Sequence, residues 1–235
     1  MQPINTLILS GCNQHDWERS SPFVAKLMED TGRFSVGITT DASSALEDAD
    51  ALARYDLLLS EYDGPQWSDV AKRNFEQAIA SGTGLVILHS ANLAFPGWVA
   101  YERMCGIAWR EGSNHGDFHE FPVRIVDHEH PITRGLGDFL QSDELYHNLQ
   151  HMHGAPYHVL ATAYSSPEKH GTGKDEPMMV VTRYGEGRVF HMILGHVALV
   201  YRLMLLHDKT TSCCIVLEIQ APYTTFCIAT ETDRG

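Results

Sequence analysis

Residues Gly84 to Asn92 read GLVILHSAN: an unbroken apolar run, Leu85 to Leu88, then a histidine, a serine and an asparagine, with no proline or charge to account for the stop. A strand with one wet face alternates polar and apolar side chains. A continuous LVIL core therefore fits a central parallel strand covered by helices on both faces. The segments before it support that reading. Thr6–Gly11 (TLILSG) reads as a buried strand, and the helix after it shows apolar pairs Phe23/Leu27 and Val24/Met28, with Gly32 as its stop. Phe34–Thr39 is a second strand and Tyr55–Gly64 a third, centred on Leu57–Leu59. Ser68 then caps a helix to about Ser81, with Val70, Phe75, Ala78 and Ile79 along one side and Gly82 ending it. Four strands joined by mostly helical crossovers predict an α/β fold, a three-layer sandwich around a doubly wound, mainly parallel sheet.

The pattern changes after about residue 110. Phe121–Asp127 (FPVRIVD) alternates, YHVLATA follows at 157–163, and MMVVTR and RVFHMIL flank YGEG as a β-hairpin. These predict an antiparallel extension at one sheet edge. One domain is expected over 1–196, with 197–235 a divergent tail in which VALVYRLMLLHD suits a helix and CCIVLEIQ and TTFCIA suit short strands.

Composition narrows the functions. The 235 residues carry a formal net charge of -13, which argues against nucleic acid, whose affinity comes from clustered Lys and Arg. There is no basic region followed by a long apolar stretch at the amino terminus and no run of membrane-spanning length, so a cytoplasmic protein without membrane contact is expected. Five cysteines without CxxC spacing indicate neither a disulfide framework nor a thiolate zinc site. Histidine is over-represented, 14 against 17 Lys and Arg together, which makes metal ligands or proton carriers worth seeking among them.

In open parallel sheets, ligands sit beyond the carboxyl ends of the strands. His89 lies there, as do His15 after the first strand (GCNQHDW), Glu61, Tyr62 and Asp63 after the third, and His196 at the end of ILGH, where Gly195 permits a tight exit. Three histidines at three strand ends, completed by a carboxylate and water, suit a divalent metal such as zinc, manganese or iron. The competing reading of each is an imidazole that merely finishes a strand with a hydrogen bond. Asp143 and Glu144 are a second carboxylate candidate or, alternatively, with Ser142, the cap and first turn of a helix. Trp17, Tyr62 and Tyr146 could stack on a sugar ring or belong to the core. His115 and His119 could line an entrance or stand exposed.

Other chemistries lack their signatures. There is no GxSxG elbow, no cysteine after the central strand, and neither GxGxxG nor a phosphate-binding GKS/GKT run, so no nucleotide cofactor is expected. Ser90 is the remaining hydroxyl, but on an extended chain it would point away from the face of His89.

GCNQHDW, GTGLVILHSAN, FHEFPVRIVDHEHPITRGL, DELYH and DEPMMVVTRYGEGRVFHMILGH occur in that order, and in this combination the chain resembles the trehalose-utilisation ThuA-like family over roughly residues 4–196. That family belongs to the class I glutamine amidotransferase-like superfamily of flavodoxin-like folds. The resemblance implies that His89 stands about where amidotransferases carry their cysteine nucleophile, so amidotransferase chemistry is not expected. It also implies a role in catabolism of disaccharides or their 3-keto derivatives, with His15, His89, Glu144 and His196 as the polar centre of a sugar pocket. The chain departs from the family after His196, where relatives continue into a final amphipathic helix. That departure bears on one sheet face and on a homo-oligomer interface, which the sequence admits.

The resulting expectation is an enzyme that isomerises, hydrates or eliminates from a keto-sugar. His15, His89 and His196 serve as metal ligands, Glu144, His89 or Asp63 as catalytic groups, and Trp17, Tyr62, His115 and Tyr146 as substrate contacts. The alternatives are a carbohydrate-binding or regulatory protein without turnover, and a metal-independent hydrolase using Ser90.

Overall fold

The computed structural model describes residues 2–196 in full and, beyond them, the backbone of 201–203, 213–215, 217–219 and 228–230. Thirteen strands and five helices make up the first part. They run β1 (Ile4–Leu9), α1 (Trp17–Asp30), β2 (Phe34–Thr39), α2 (Ala42–Glu47), α3 (Ala49–Leu52), β3 (Leu57–Ser60), α4 (Asp69–Ala80), β4 (Gly84–Leu88) and α5 (Val99–Cys105). After these come β5 (Ile107–Ala108), β6 (Asn114–His115), β7 (His119–Ile125), β8 (Phe139–Asp143), β9 (Tyr146–His147), β10 (Gln150–His151), β11 (His158–Tyr164), β12 (Asp175–Tyr184) and β13 (Gly187–Met192).

Nine strands form one sheet in the order β2-β1-β3-β4-β13-β12-β11-β7-β8. The first five run parallel and the rest continue antiparallel, so the α/β sandwich with its antiparallel extension is as the sequence indicated. The β12–β13 hairpin does more than extend an edge, because β13 pairs in parallel with β4 and completes the parallel block. Strand order reverses between β1 and β3, the switch point where a crevice opens beyond the strand ends.

The apolar run of β4 divides between two cores. Val86 and Leu88 pack with α1 residues Val24 and Met28 on one face, while Leu85 and Ile87 pack with Phe75 and Ile79 of α4 and Tyr101 of α5 on the other. Alternate side chains point to opposite faces, so a strand covered on both sides must be apolar throughout. Ser68 caps α4 as read, its Oγ accepting from the Ala71 N–H at 3.1 Å. The buried face of that helix is Ala71, Phe75 and Ile79, whereas Val70 is exposed.

Two sequence expectations change. Ser142 and Asp143 cap no helix: they end β8, and Asp143 is spent on the exit of β13, as described below. In the tail, β14 (Tyr201–Leu203) is a strand rather than part of a helix, pairing antiparallel with β16 (Leu217–Ile219); β15 (Cys213–Ile215) pairs with β17 (Ile228–Thr230). The short strands expected in CCIVLEIQ are β15 and β16, and β17 begins at the end of TTFCIA; the rest of 197–235 lies outside the described residues. No helix among the described residues is long and apolar enough to cross a membrane.

Candidate functional site

Each element of the parallel block delivers a polar group to one rim. After β1 the chain turns at Gly11, with φ +99°, where a Cβ would stand 2.0 Å from the Thr40 carbonyl oxygen; only glycine fits that approach. The following loop carries Asn13 and His15. After β4, His89 itself adopts φ +46°, uncommon for a residue with a side chain, and opens a 3₁₀ turn over His89–Leu93, a sharp strand-to-helix elbow. After β13, Gly195 at φ +137° turns His196 back toward the same place.

The three imidazoles meet. The His15 ring lies 4.7 Å from both His89 and His196, centre to centre. With Glu144 they offer four donor atoms, all within 4.8 Å of one another. The hydrogen bonds fix which nitrogen of each ring is free. Asn13 donates its Nδ2–H to the Glu61 carbonyl at 2.7 Å, so its Oδ1 is the acceptor for the His15 backbone N–H at 2.8 Å and for His15 Nδ1–H at 2.8 Å. His15 Nε2 is left as a lone pair. His89 Nδ1 donates to the Ile193 carbonyl at 2.7 Å, leaving its Nε2 to accept from the Tyr146 hydroxyl at 3.0 Å.

His196 Nδ1 sits 2.9 Å from His15 Nε2 and 3.0 Å from Glu144 Oε2. One nitrogen carries at most one hydrogen, so that hydrogen serves one of these two acceptors or is shared between them, and the lone pairs of the two acceptors outnumber it. The cluster therefore holds more donor lone pairs than protons. Burial, then the nearby His196, lowers the basicity of His15 to a pKa of about 4. Burial, then His15, holds His89 well below the ordinary imidazole range.

Asp143 anchors the assembly from β8. It is fully buried and accepts N–H bonds from Gly195 (2.7 Å), His196 (3.1 Å) and Glu144 (2.8 Å), tying the β13 exit to the segment that presents Glu144. Burial pushes its carboxyl up to about 7 against the pull of those three donors. A small crevice adjoins the cluster, lined among others by His15, Glu61, His89, Ser90 and His196. The Glu61 carboxylate is buried there and accepts from the Ser20 and Ser21 hydroxyls; burial raises it to about 7.

The structure thus brings together His15, His89, His196 and Glu144, with Tyr146 bonded to His89 and His115 Nδ1 3.9 Å from Glu144 Oε1. Three other residues stand apart. Tyr62 belongs to the core, its hydroxyl donating to the Pro65 carbonyl and its ring stacked on Phe95, because alternation sends it away from its neighbour Glu61. Asp63 and Trp17 do not line the cavity and are not in the donor cluster. Ser90 does not continue an extended chain: it lies in the 3₁₀ turn and donates to Asn13 Oδ1 at 2.9 Å. His119 faces the Asp117 carbonyl at the surface.

Asn13 and Trp109 were not singled out in the sequence. The first has a local signal, Asn-x-His, since an asparagine side chain readily bonds the N–H two residues on. The second, which meets the Tyr146 ring edge-on at 4.6 Å, has none.

The sequence matches the ThuA family, trehalose utilisation, over residues 5–208. No curated protein matches it. A solved structure described as ThuA-like, from Parabacteroides merdae, shares 28% identity with a TM-score of 0.76, covering 85% of each chain. A second, from Bacteroides uniformis, is 21% identical with a TM-score of 0.62, covering 83% of this chain and 84% of its own. A cytoplasmic protein of Salmonella typhimurium LT2, 16% identical with a TM-score of 0.58, shares the fold over 80% of this chain and 87% of its own.

Proposed function

The chain belongs to the ThuA family of trehalose utilisation, and from that premise we propose that it is an enzyme of carbohydrate catabolism acting on a keto-sugar or keto-disaccharide with a divalent cation. One observation carries the proposal: three imidazoles and a carboxylate from four separate segments converge within 4.8 Å with too few protons to satisfy one another. His15, His89 and His196 would hold the cation, with Glu144 beside them. In His15 and His89 the nitrogen remote from the cluster already donates to a fixed oxygen, the outer support that orients metal-binding imidazoles. Zinc, manganese or iron suits such a nitrogen-and-oxygen set.

When bound, the cation would supply polarisation of a sugar carbonyl, acidifying the neighbouring C–H or O–H. The protein's own part is then positional. Glu144 takes the proton from the carbon beside the carbonyl and returns it to an adjacent atom, which gives isomerisation, or delivers it to a departing oxygen, which gives elimination. His115 Nδ1 lies 3.9 Å from the outer oxygen of Glu144, beyond hydrogen-bond reach, and donates to the Gly116 carbonyl at 2.7 Å, so it stands beside Glu144 without fixing it. The crevice lined by His15, Glu61, His89, Ser90 and His196 adjoins the proposed cation ligands, and the sugar would dock against it. Ser90 is not assigned the reaction because its proton is committed to Asn13.

The test is metal content and turnover of untagged protein. Stoichiometric metal that disappears in His89→Ala, together with chelator-sensitive conversion of a 3-keto-disaccharide, is the expected result. Absence of metal uptake alongside turnover that Ser90→Ala abolishes would replace this reading with the hydrolase, and sugar binding without product would replace it with a binding protein.

A further inference from the structure

Tyr146 occupies the place from which a cation would claim His89. Its hydroxyl donates to His89 Nε2 at 3.0 Å, the one nitrogen of that ring not already bonded to backbone. The phenol ring is 4% exposed, meeting the His89 ring at 4.5 Å and Trp109 edge-on at 4.6 Å, and its backbone pairs with His115. The ring is therefore fixed, while the O–H bond can rotate about the C–O axis without moving it.

We propose that Tyr146 is an exchangeable hydrogen-bond donor: it guards the His89 lone pair while the site is empty, and once a cation takes that lone pair, its freed hydroxyl turns to donate to an oxygen of the sugar. The inference rests on the metal reading above. It follows from donor accounting. The Nε2 lone pair can serve the phenol or a cation but not both, and a phenol left without an acceptor in a buried setting must find another. The oxygen that best meets that need is a carbonyl or hydroxyl of the ligand lying against the same imidazole. A hydrogen bond aimed at a sugar oxygen selects substrates that carry an oxygen there, because a ligand without one leaves the phenol unpaired.

The exchange makes a prediction opposite to that of a structural tyrosine. Removing the hydroxyl removes the competitor, so zinc alone, titrated calorimetrically into the metal-free full chain, should bind Tyr146→Phe about three- to tenfold more tightly than wild type. Zinc addition should also produce a tyrosine difference spectrum in wild type that Tyr146→Phe lacks. A 3-keto-disaccharide added to the zinc-loaded proteins should bind the variant about tenfold more weakly. If wild type takes up no zinc, the metal reading falls and the exchange falls with it. If wild type takes up zinc but Tyr146→Phe binds it equally or more weakly, the exchange alone is overturned, and the tyrosine is either a ligand or a support. Equal affinity of both zinc-loaded proteins for the sugar overturns the second half of the proposal.

Discussion

Two buried histidines on neighbouring strands, His191 within β13 and His89 at the end of β4, are alike in almost every respect except what faces their second nitrogen. Both donate Nδ1–H to a backbone carbonyl, that of Cys105 for His191 and that of Ile193 for His89, and burial lowers the basicity of both. His191 Nε2 accepts from the Asn92 side-chain amide at 3.0 Å, inside the core, and its account is closed. His89 Nε2 faces a hydroxyl at the rim, among the donor atoms of His15, His196 and Glu144. Burial and a depressed pKa therefore do not mark a site. A lone pair held by an exchangeable partner, among other lone pairs, does.

The contrast breaks most directly by substituting each histidine in turn. His89→Ala removes a ligand itself, so zinc affinity should fall by more than about 100-fold, beyond the range typical of losing an outer support. Alanine keeps a Cβ at φ +46°, so no backbone strain is relieved, but His89 lines the open crevice, where water can take the place of the ring, and the melting temperature should fall less than for a cavity closed inside the core. His191→Ala should do the reverse. It should cost about 3 kcal/mol by chemical denaturation, from a core cavity and an unpaired Asn92 amide, and leave zinc affinity within about threefold. If both variants lose metal, or neither loses stability, the two imidazoles are not the different objects described here.

Acid sharpens the comparison. His191 has a folded pKa of about 4 against an ordinary 6.5, so between those values the unfolded chain binds a proton that the folded chain refuses. Its contribution is thus fully present above pH 6.5 and lost as pH falls toward 4, on the order of 3 kcal/mol. The buried carboxyls Glu61 and Asp143, raised to about 7, titrate with the opposite sign, so total stability hides the effect. The difference between wild type and His191→Leu isolates it. The penalty of the substitution, measured by denaturant melts, should be greatest above pH 6.5 and shrink toward pH 4, and a penalty independent of pH would contradict the assignment.

Position along a strand is what made the site readable in the sequence. His15, His89 and His196 follow strands whose apolar runs are unmistakable, and the sheet brings strand ends together whatever the loops do. His191 sits inside a run, RVFHMIL, and the structure buries it in the core. Where the sequence misled, the cause was direction rather than location. Tyr62 and Glu61 both follow β3, and a single residue of alternation puts one in an aromatic cluster and the other on the cavity wall. Asp143 read equally well as a helix cap, because the backbone N–H groups it binds belong to a distant segment, Gly195 and His196, that local pattern cannot name.

Asn13 tests how far the rim depends on its support. Its Oδ1 holds both the His15 backbone N–H and the His15 ring, and it is itself fixed by the Glu61 carbonyl, beside the backbone bond from the Asp63 N–H to the Cys12 carbonyl. Asn13→Ala should weaken zinc binding by about 10- to 100-fold, the usual cost of losing an outer partner of a metal-binding histidine, and Asn13→Asp should recover only part of it, because it keeps the acceptor for His15 but sets an oxygen against the Glu61 carbonyl where the amide N–H donated. No comparable loss is expected at Asn92, whose histidine has no ligand to offer.

The smallest effect belongs to Ser90, and its smallness is the point. Its hydroxyl is the third donor to Asn13 Oδ1, at 2.9 Å, and two donors from His15 remain when it is gone. Ser90→Ala should cost about 0.5–1.5 kcal/mol of stability, the net worth of one ordinary hydrogen bond, and change zinc affinity by no more than about threefold. Conversion of the keto-sugar should survive, since the serine proton is directed at an amide oxygen and no base is placed to remove it. A Ser90→Ala protein that folds, binds zinc and yet has lost turnover would mean that the hydroxyl leaves Asn13 when substrate arrives. The rim would then resemble the core less than its hydrogen bonds imply, and catalysis would belong to the serine rather than to Glu144.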